Sequence, residues 1–177
     1  MGQSIDLDKY IRKVPDFPVK GILYYDITSI LVQPEAFCYC IDSMVEIYQN
    51  RKIDAVAAIE ARGFVFAAPF ADRMKIPLIL IRKKGKLPGK TISKKYSLEY
   101  AEAEIEIHQD DIPQGGNVLL LDDLVATGGT LRAAREIINS GGAQVEEVFG
   151  VVGLPFLNYE KTLAPTPIRT LINYHGE

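Results

Sequence analysis

The stretch from Asn117 to Ser140 constrains the fold more than any other part of the chain. It opens with large apolar residues, Val118 to Leu121, and then delivers two adjacent acids, Asp122 and Asp123. After Leu124 and Val125 comes Ala126-Thr127-Gly128-Gly129-Thr130. Thr130 to Ser140 then reads as a helix that Gly141-Gly142 closes. The continuous apolar run predicts a buried strand over 117–122. Strand, small-residue loop and helix in that order form the repeating unit of parallel α/β sheets. Such a loop can wrap an anion with successive backbone N–H groups, and the helix N-terminus adds partial positive charge. Thr127 and Thr130 contribute hydroxyl donors, while Gly128 and Gly129 let the backbone come close. Two acids just ahead of this cradle suit a sugar diol, because a carboxylate accepts hydroxyl hydrogen bonds. A plain turn with capping aspartates would need neither the second acid nor the Thr-Gly-Gly-Thr behind it.

The rest of the chain follows the same alternation. Residues 34–50 read as an amphipathic helix with Pro34 in its first turn and Phe37, Ile41, Met44, Val45 and Tyr48 on one face. Residues 54–59 and 77–82 are short apolar runs and predict buried strands. Residues 63–74 look helical, with Pro69 bending that helix or marking its start. Residues 144–152 and 167–172 supply further strands. The predicted fold is α/β: a mostly parallel sheet flanked by helices, joined by right-handed crossovers. Ligands in such sheets bind beyond the carboxyl ends of the strands, which singles out Glu60, Arg82 and Asp122. Residues 83–97 hold six lysines without apolar periodicity and predict a long, mobile, basic loop. Beyond it, Ala103, Ile105 and Ile107 alternate with Glu102, Glu104 and Glu106, the pattern of a half-exposed strand with a solvated acidic face.

A length of 177 residues fits one domain. The formal net charge of -3 argues against nucleic acid as a partner. No apolar run approaches a membrane span, and the N-terminus lacks the apolar core of a signal peptide. Cys38 and Cys40 stand two apart in a helix, where side chains do not face each other, so they read as structural thiols of a reducing, cytoplasmic compartment.

Val118–Thr130 resembles the phosphoribosyl-pyrophosphate signature of the type I phosphoribosyltransferase family. The resemblance extends through Phe17–Thr28, Glu60–Phe64, Ile81–Gly89 and Tyr96–Tyr100, which are similar in order and distance to the adenine-using members, so it covers nearly the whole chain. It implies transfer of a phosphoribosyl group from phosphoribosyl pyrophosphate to adenine, giving AMP and pyrophosphate in purine salvage, with Mg²⁺ held mainly by the substrate. It implies that Ala126, Thr127, Gly128, Gly129 and Thr130 hold the 5′-phosphate and that Asp122 and Asp123 meet the ribose hydroxyls. Ala61, Arg62 and Gly63 become the pyrophosphate loop, with a non-proline cis peptide at Glu60–Ala61. Arg82, Lys83, Lys84 and Lys86 supply further pyrophosphate contacts, some across a homodimer interface. The basic loop becomes a lid bearing Tyr100 and the catalytic acid Glu99. Residues 1–33 become a hood in which Leu23, Tyr24 and Tyr25 read adenine largely through backbone groups.

Four positions depart from that family: Tyr25 stands for Arg, Ala61 for Ser, Gly153 for Glu, and Tyr159-Glu160 for Gly-Arg. Two other readings remain at this stage. Gly85-Lys86-Leu87-Pro88-Gly89-Lys90-Thr91 falls one residue short of a nucleotide kinase P-loop, with no helix after it. A noncatalytic sensor of phosphoribosyl pyrophosphate would share the fold but lack the lid acid or the pyrophosphate arginine, and Glu99 and Arg62 are both present. His108 and His175 read as ordinary surface or strand residues.

Overall fold

Alternate side chains along the central strands enter two separate apolar cores, and this alternation builds the molecule. The computed structural model describes residues 5–97 and 102–176. A 3-10 turn at Leu7–Tyr10 leads into a hairpin of β1 (Arg12–Pro15) and β2 (Leu23–Asp26). Then follow α1 (Thr28–Leu31), α2 (Pro34–Tyr48), β3 (Ala55–Ile59), α3 (Arg62–Met74) and β4 (Leu78–Lys83). After these come β5 (Thr91–Ser97), β6 (Glu102–His108), β7 (Asn117–Val125) and α4 (Gly129–Ser140). The chain closes with β8 (Gln144–Gly153), α5 (Tyr159–Leu163) and β9 (Ile168–Asn173).

The main sheet has the order β5-β6-β4-β3-β7-β8-β9. Its β4-β3-β7-β8-β9 portion is parallel, while β6 joins β4, and β5 joins β6, antiparallel. Val56 and Ala58 of β3, with Leu119 and Leu121 of β7, pack with α2 and α3. Ala55, Ala57 and Ile59, with Val118 and Leu120, pack with α4 and α5 on the other face. Strands covered on both faces by helices have no polar side, hence the unbroken apolar runs in the sequence.

In α2, Ala36, Cys40, Ile41, Met44 and Tyr48 are buried. Cys40 is enclosed and Cys38 exposed, so the two free thiols point to different environments. Burial pushes the Cys40 thiol up to about 12. Helix α3 begins at Arg62 and carries Pro69 in its interior, so Pro69 does not mark the start.

Three sequence expectations are corrected. Residues 83–97 are not one long loop: after a turn over 84–90, β5 pairs with all of β6, from Thr91 opposite His108 to Ser97 opposite Glu102. Ile92 and Tyr96 lie at strand spacing and pack against the second core. The lysines that disguised this strand suit a sheet edge, where charge discourages pairing with another chain. Second, the acidic face of β6 is not uniformly solvated, because Glu106 is only 1% exposed. Third, β7 does not stop at Asp122 but runs to Val125, so both acids lie within a strand.

The β1–β2 hairpin forms a separate two-stranded sheet. It is tied to the far end of the chain. Tyr25 is buried and stacks on Tyr174 with ring centroids 3.9 Å apart. The Tyr174 hydroxyl donates to Asp8 Oδ1 at 2.6 Å, and the Lys13 ammonium lies 2.8 Å from the same carboxylate oxygen. The departure at Tyr25 thus places an aromatic ring in the base of this hairpin.

Two of the other departures form one packing solution. A Cβ on Gly153 would stand 2.3 Å from Asn173 Oδ1, 2.7 Å from the Tyr159 hydroxyl and 2.8 Å from Thr170 Cγ2. Tyr159 fills that space and donates to Asn173 Oδ1 at 3.2 Å. A side chain at 153 would displace both Asn173 and the Tyr159 hydroxyl that donates to it, so glycine at 153 suits this hydrogen-bonded pair.

Candidate active site

The carboxyl ends of β3, β4 and β7 open into a cleft of about 330 Å³. Glu60, Ala61, Arg62, Arg82, Lys83, Asp122, Asp123 and Thr130 line it, together with Tyr96. A second hollow of about 80 Å³ adjoins it, formed by Ala126, Thr127, Gly128, Gly129 and Thr130 with Asp122, Leu124 and Leu131. The elements explain this convergence. Parallel strands end at the same level, and each hands its chain to a loop at that end.

The small hollow faces the start of α4. Gly128 adopts φ 81° at the N-cap, a left-handed conformation natural to glycine, and no side chain caps the helix. The first N–H groups of a helix have no partner within it. Here they and the helix dipole face a small concavity, the arrangement that binds phosphate elsewhere. A Cβ on Gly129 would meet nothing nearer than Thr127 Oγ1 at 3.9 Å, so that side of the cradle is open. A Cβ on Gly128 would instead press Leu163 Cγ at 3.1 Å, because α5 supports the loop from behind.

The residues expected on the pyrophosphate side also meet here. The Glu60–Ala61 peptide is cis, as the resemblance implied. Gly63, in the first turn of α3, packs against β7: a Cβ there would lie 3.2 Å from Asp122 Oδ1 and 3.3 Å from the Leu121 carbonyl oxygen. Arg62 reaches across and pairs through Nε with Asp123 Oδ2. Burial lowers the affinity of this guanidinium for its proton, but the Asp123 carboxylate more than offsets that effect. Asp122 behaves oppositely. Burial first, and the Asp123 charge second, push its carboxyl well above the usual carboxylate range. Its Oδ1 accepts from the Asp123 backbone N–H at 2.9 Å.

Arg82 is held by its neighbours. Its Nε and Nη2 donate to Glu60 at 3.3 and 3.1 Å, and Nη1 donates to the Lys86 carbonyl oxygen at 3.2 Å. The Arg82 hydrogen bond, then that from the Lys83 backbone N–H, hold the Glu60 carboxyl below its usual value. Lys84, expected among the pyrophosphate contacts, lies with its ammonium 3.2 Å from Glu106 Oε2. Lys83 lines the cleft, whereas Lys86 lies on the turn beyond it.

The β1–β2 hairpin borders this cleft: Tyr24 and Asp26 are close enough to Arg62 to interact with its charge. Leu23 and Tyr24 are partly exposed, while Tyr25 turns its ring into the core. Strand β2 has β1 on one side only, so alternate backbone groups face away from the hairpin. Glu99 and Tyr100, expected as the catalytic acid and lid residue, lie outside the described residues.

Sequence reasoning missed two residues here. Tyr96 accepts a hydrogen bond from Thr130 Oγ1 at 3.2 Å and so joins β5 to the cradle. The Ile92/Tyr96 spacing was the available signal. Glu106 left no comparable signal, because its glutamate neighbours on β6 mask it. The segment Gly85–Thr91 leads into a strand, which removes the P-loop reading.

Fold and cleft together define an α/β protein whose candidate anion-binding cleft lies at the carboxyl ends of its central parallel strands. A family model described as the phosphoribosyl transferase domain matches residues 26–154. The chain is 65% identical over 171 residues to an adenine phosphoribosyltransferase of Treponema denticola, covering 97% of this chain and 90% of the relative. Its structure is similar to the crystal structure of adenine phosphoribosyltransferase from Thermoanaerobacter pseudethanolicus, with a TM-score of 0.90 and 42% identity, covering 95% and 98% of the two chains. It is also similar to the Trypanosoma brucei enzyme solved in complex with AMP, pyrophosphate and ribose-5-phosphate, with a TM-score of 0.86 and 28% identity, covering 94% and 77%. The chain belongs to the phosphoribosyltransferase family, among its adenine phosphoribosyltransferases.

Proposed function

We propose that the protein transfers the 5-phosphoribosyl group of phosphoribosyl pyrophosphate to N9 of adenine, forming AMP and releasing pyrophosphate. The observation that carries this reading is the uncapped N-terminus of α4 placed directly after Asp122 and Asp123, with Arg62 across the cleft. A 5′-phosphate docks on the N–H groups of Ala126–Thr130. The ribose hydroxyls meet Asp122 and Asp123. The pyrophosphate lies toward Ala61, Arg62, Gly63 and Lys83, with Arg82 and Lys86 behind.

As the bond from C1 of the ribose to pyrophosphate breaks, positive charge grows on the sugar and negative charge on the leaving group. Arg62 and the lysines stabilise the leaving charge. For this, Arg62 exchanges its Asp123 partner for pyrophosphate oxygens, which frees Asp123 for the sugar. Mg²⁺, brought by the substrate, supplies further charge neutralisation when bound, and the carboxylate and hydroxyl oxygens lining the cleft suit a hard cation. The adenine N9 proton goes to Glu99, and Tyr100 helps exclude water.

Residues 1–33 act as the hood over the base, and the one-sided pairing of β2 supports backbone recognition by Leu23 and Tyr24. The working form is a homodimer, a reading supported by exposed Phe17, Val19 and Ile22 on the hood and Val65 on α3. The two unpaired cysteines suit a cytoplasmic setting, and no helix among the described residues is long and apolar enough to cross a membrane.

The test is base choice. The 6-amino group of adenine donates where the 6-oxo group of hypoxanthine accepts, and a mispaired buried group costs about 1–3 kcal/mol. Purified protein with phosphoribosyl pyrophosphate and Mg²⁺ is expected to form AMP with a kcat/KM at least roughly tenfold above that for IMP or GMP formation. Equal rates with hypoxanthine would overturn the assignment.

A further inference from the structure

Glu106 lies on β6 opposite Arg82 of β4 and Ser93 of β5, enclosed by the turn that connects those two strands. Its Oε1 accepts from the backbone N–H groups of Lys86 and Leu87 at 2.8 and 2.9 Å. Its Oε2 accepts from Thr91 Oγ1 at 3.2 Å and lies 3.2 Å from the Lys84 ammonium. Three donors from one short turn and a fourth from the first residue of β5 therefore converge on one buried carboxylate. The same turn carries Lys86, whose carbonyl oxygen accepts from Arg82, and leads back to Lys83 at the cleft.

We propose that Glu106 is a positioning residue for the pyrophosphate side of the reaction, acting through the turn that presents Lys83 and Lys86. A lysine-rich turn repels itself and would sample many conformations. An internal anion satisfies two of its N–H groups and neutralises Lys84, leaving the remaining ammonium groups for the substrate. Burial would by itself raise the Glu106 carboxyl, yet the surrounding donors hold it down at about 2, so it remains an anion throughout the working range. The inference rests on the reading of Lys83 and Lys86 as pyrophosphate-side cations.

The test is Glu106→Gln, which keeps the shape and one acceptor oxygen but loses the charge. Losing a charge-assisted contact, with tenfold per about 1.4 kcal/mol, predicts a rise of roughly fivefold to tenfold in the KM for phosphoribosyl pyrophosphate. The KM for adenine should stay within about twofold, because base binding does not involve this turn. In Lys86→Met, the same Glu106 substitution should have little further effect, since contacts acting through one another are not additive. Equal rises in both KM values, an unchanged KM for phosphoribosyl pyrophosphate, or additive effects in the double variant would each overturn the proposal. Calorimetry with inorganic pyrophosphate and Mg²⁺ gives a readout independent of turnover. If wild-type protein makes no AMP, the proposed function fails, yet weaker pyrophosphate binding by Glu106→Gln would still support the positioning role. Should that variant not fold, Thr91→Val removes a single donor, and a rise of about twofold in the same KM alone is expected. No rise, or a shared rise, would count against it.

Discussion

Asp122 and Asp123 are neighbours in sequence with opposite surroundings. Successive residues of a strand face opposite sides, so one carboxylate meets Arg62 while the other is pushed well above its usual range by burial and by its neighbour's charge. A raised carboxyl binds its proton more tightly in the folded chain, so folding stability falls as pH rises from the unfolded value of 3.8 toward the folded one. Above that window the folded protein carries an unfavourable charge that ligand binding can use. Asp122→Asn should therefore raise the midpoint of thermal unfolding of the ligand-free protein at pH 8 by about 2–4 °C for each kcal/mol regained. It should also weaken AMP binding about tenfold by removing a charged acceptor for the ribose. Calorimetric melting and AMP titration test both halves. A lower midpoint, or unchanged AMP affinity, would remove Asp122 from this role.

At the scale of elements, the hairpin of β1 and β2 is held less by its own pairing than by the C-terminal segment. An isolated two-stranded hairpin is marginal in water. Here the Tyr25–Tyr174 stack, the Tyr174–Asp8 hydrogen bond and the Lys13–Asp8 pair anchor it. Aromatic pairs contribute about 0.5–1.5 kcal/mol beyond burial. Tyr174→Ala should then loosen the hood and raise the KM for adenine severalfold, while the KM for phosphoribosyl pyrophosphate changes by less than about twofold. Steady-state kinetics decides it, and a rise confined to phosphoribosyl pyrophosphate would contradict the placement of the base. Strand β5 shows the opposite relation between element and sequence. Its lysines read as loop until β6 is seen to pair along its whole length.

Across the whole molecule, several carboxyls are held below their usual values: Glu106 at about 2, with Glu60, Asp8 and Asp26 also lowered. A depressed carboxyl stabilises the fold above its unfolded pKa, and that stability disappears as pH falls through the folded value. Thermal midpoints should decline from about pH 4.5 downward and continue declining to about pH 2. Glu106→Gln should flatten the lower part of that decline. A midpoint independent of pH over this interval would show that these contacts contribute nothing to folding.

Local pattern alone determined the class of fold. Apolar runs too uniform for a half-exposed sheet, separated by helical periodicity, leave a parallel sheet covered on both faces as the consistent solution. The cradle at Ala126–Thr130 was equally legible, since backbone N–H groups, glycines and a helix start are adjacent in the chain. Tertiary structure decided what adjacency cannot encode. Glu106 looks like Glu102 and Glu104 until β4 and β5 enclose it, and burial is a property of neighbours. Arg62 faces Asp123 only because β3 and β7 are paired. Gly153 and Tyr159 look like unrelated changes until β8, α5 and β9 bring them to one place, where the absent side chain at 153 leaves room for the Tyr159–Asn173 pair.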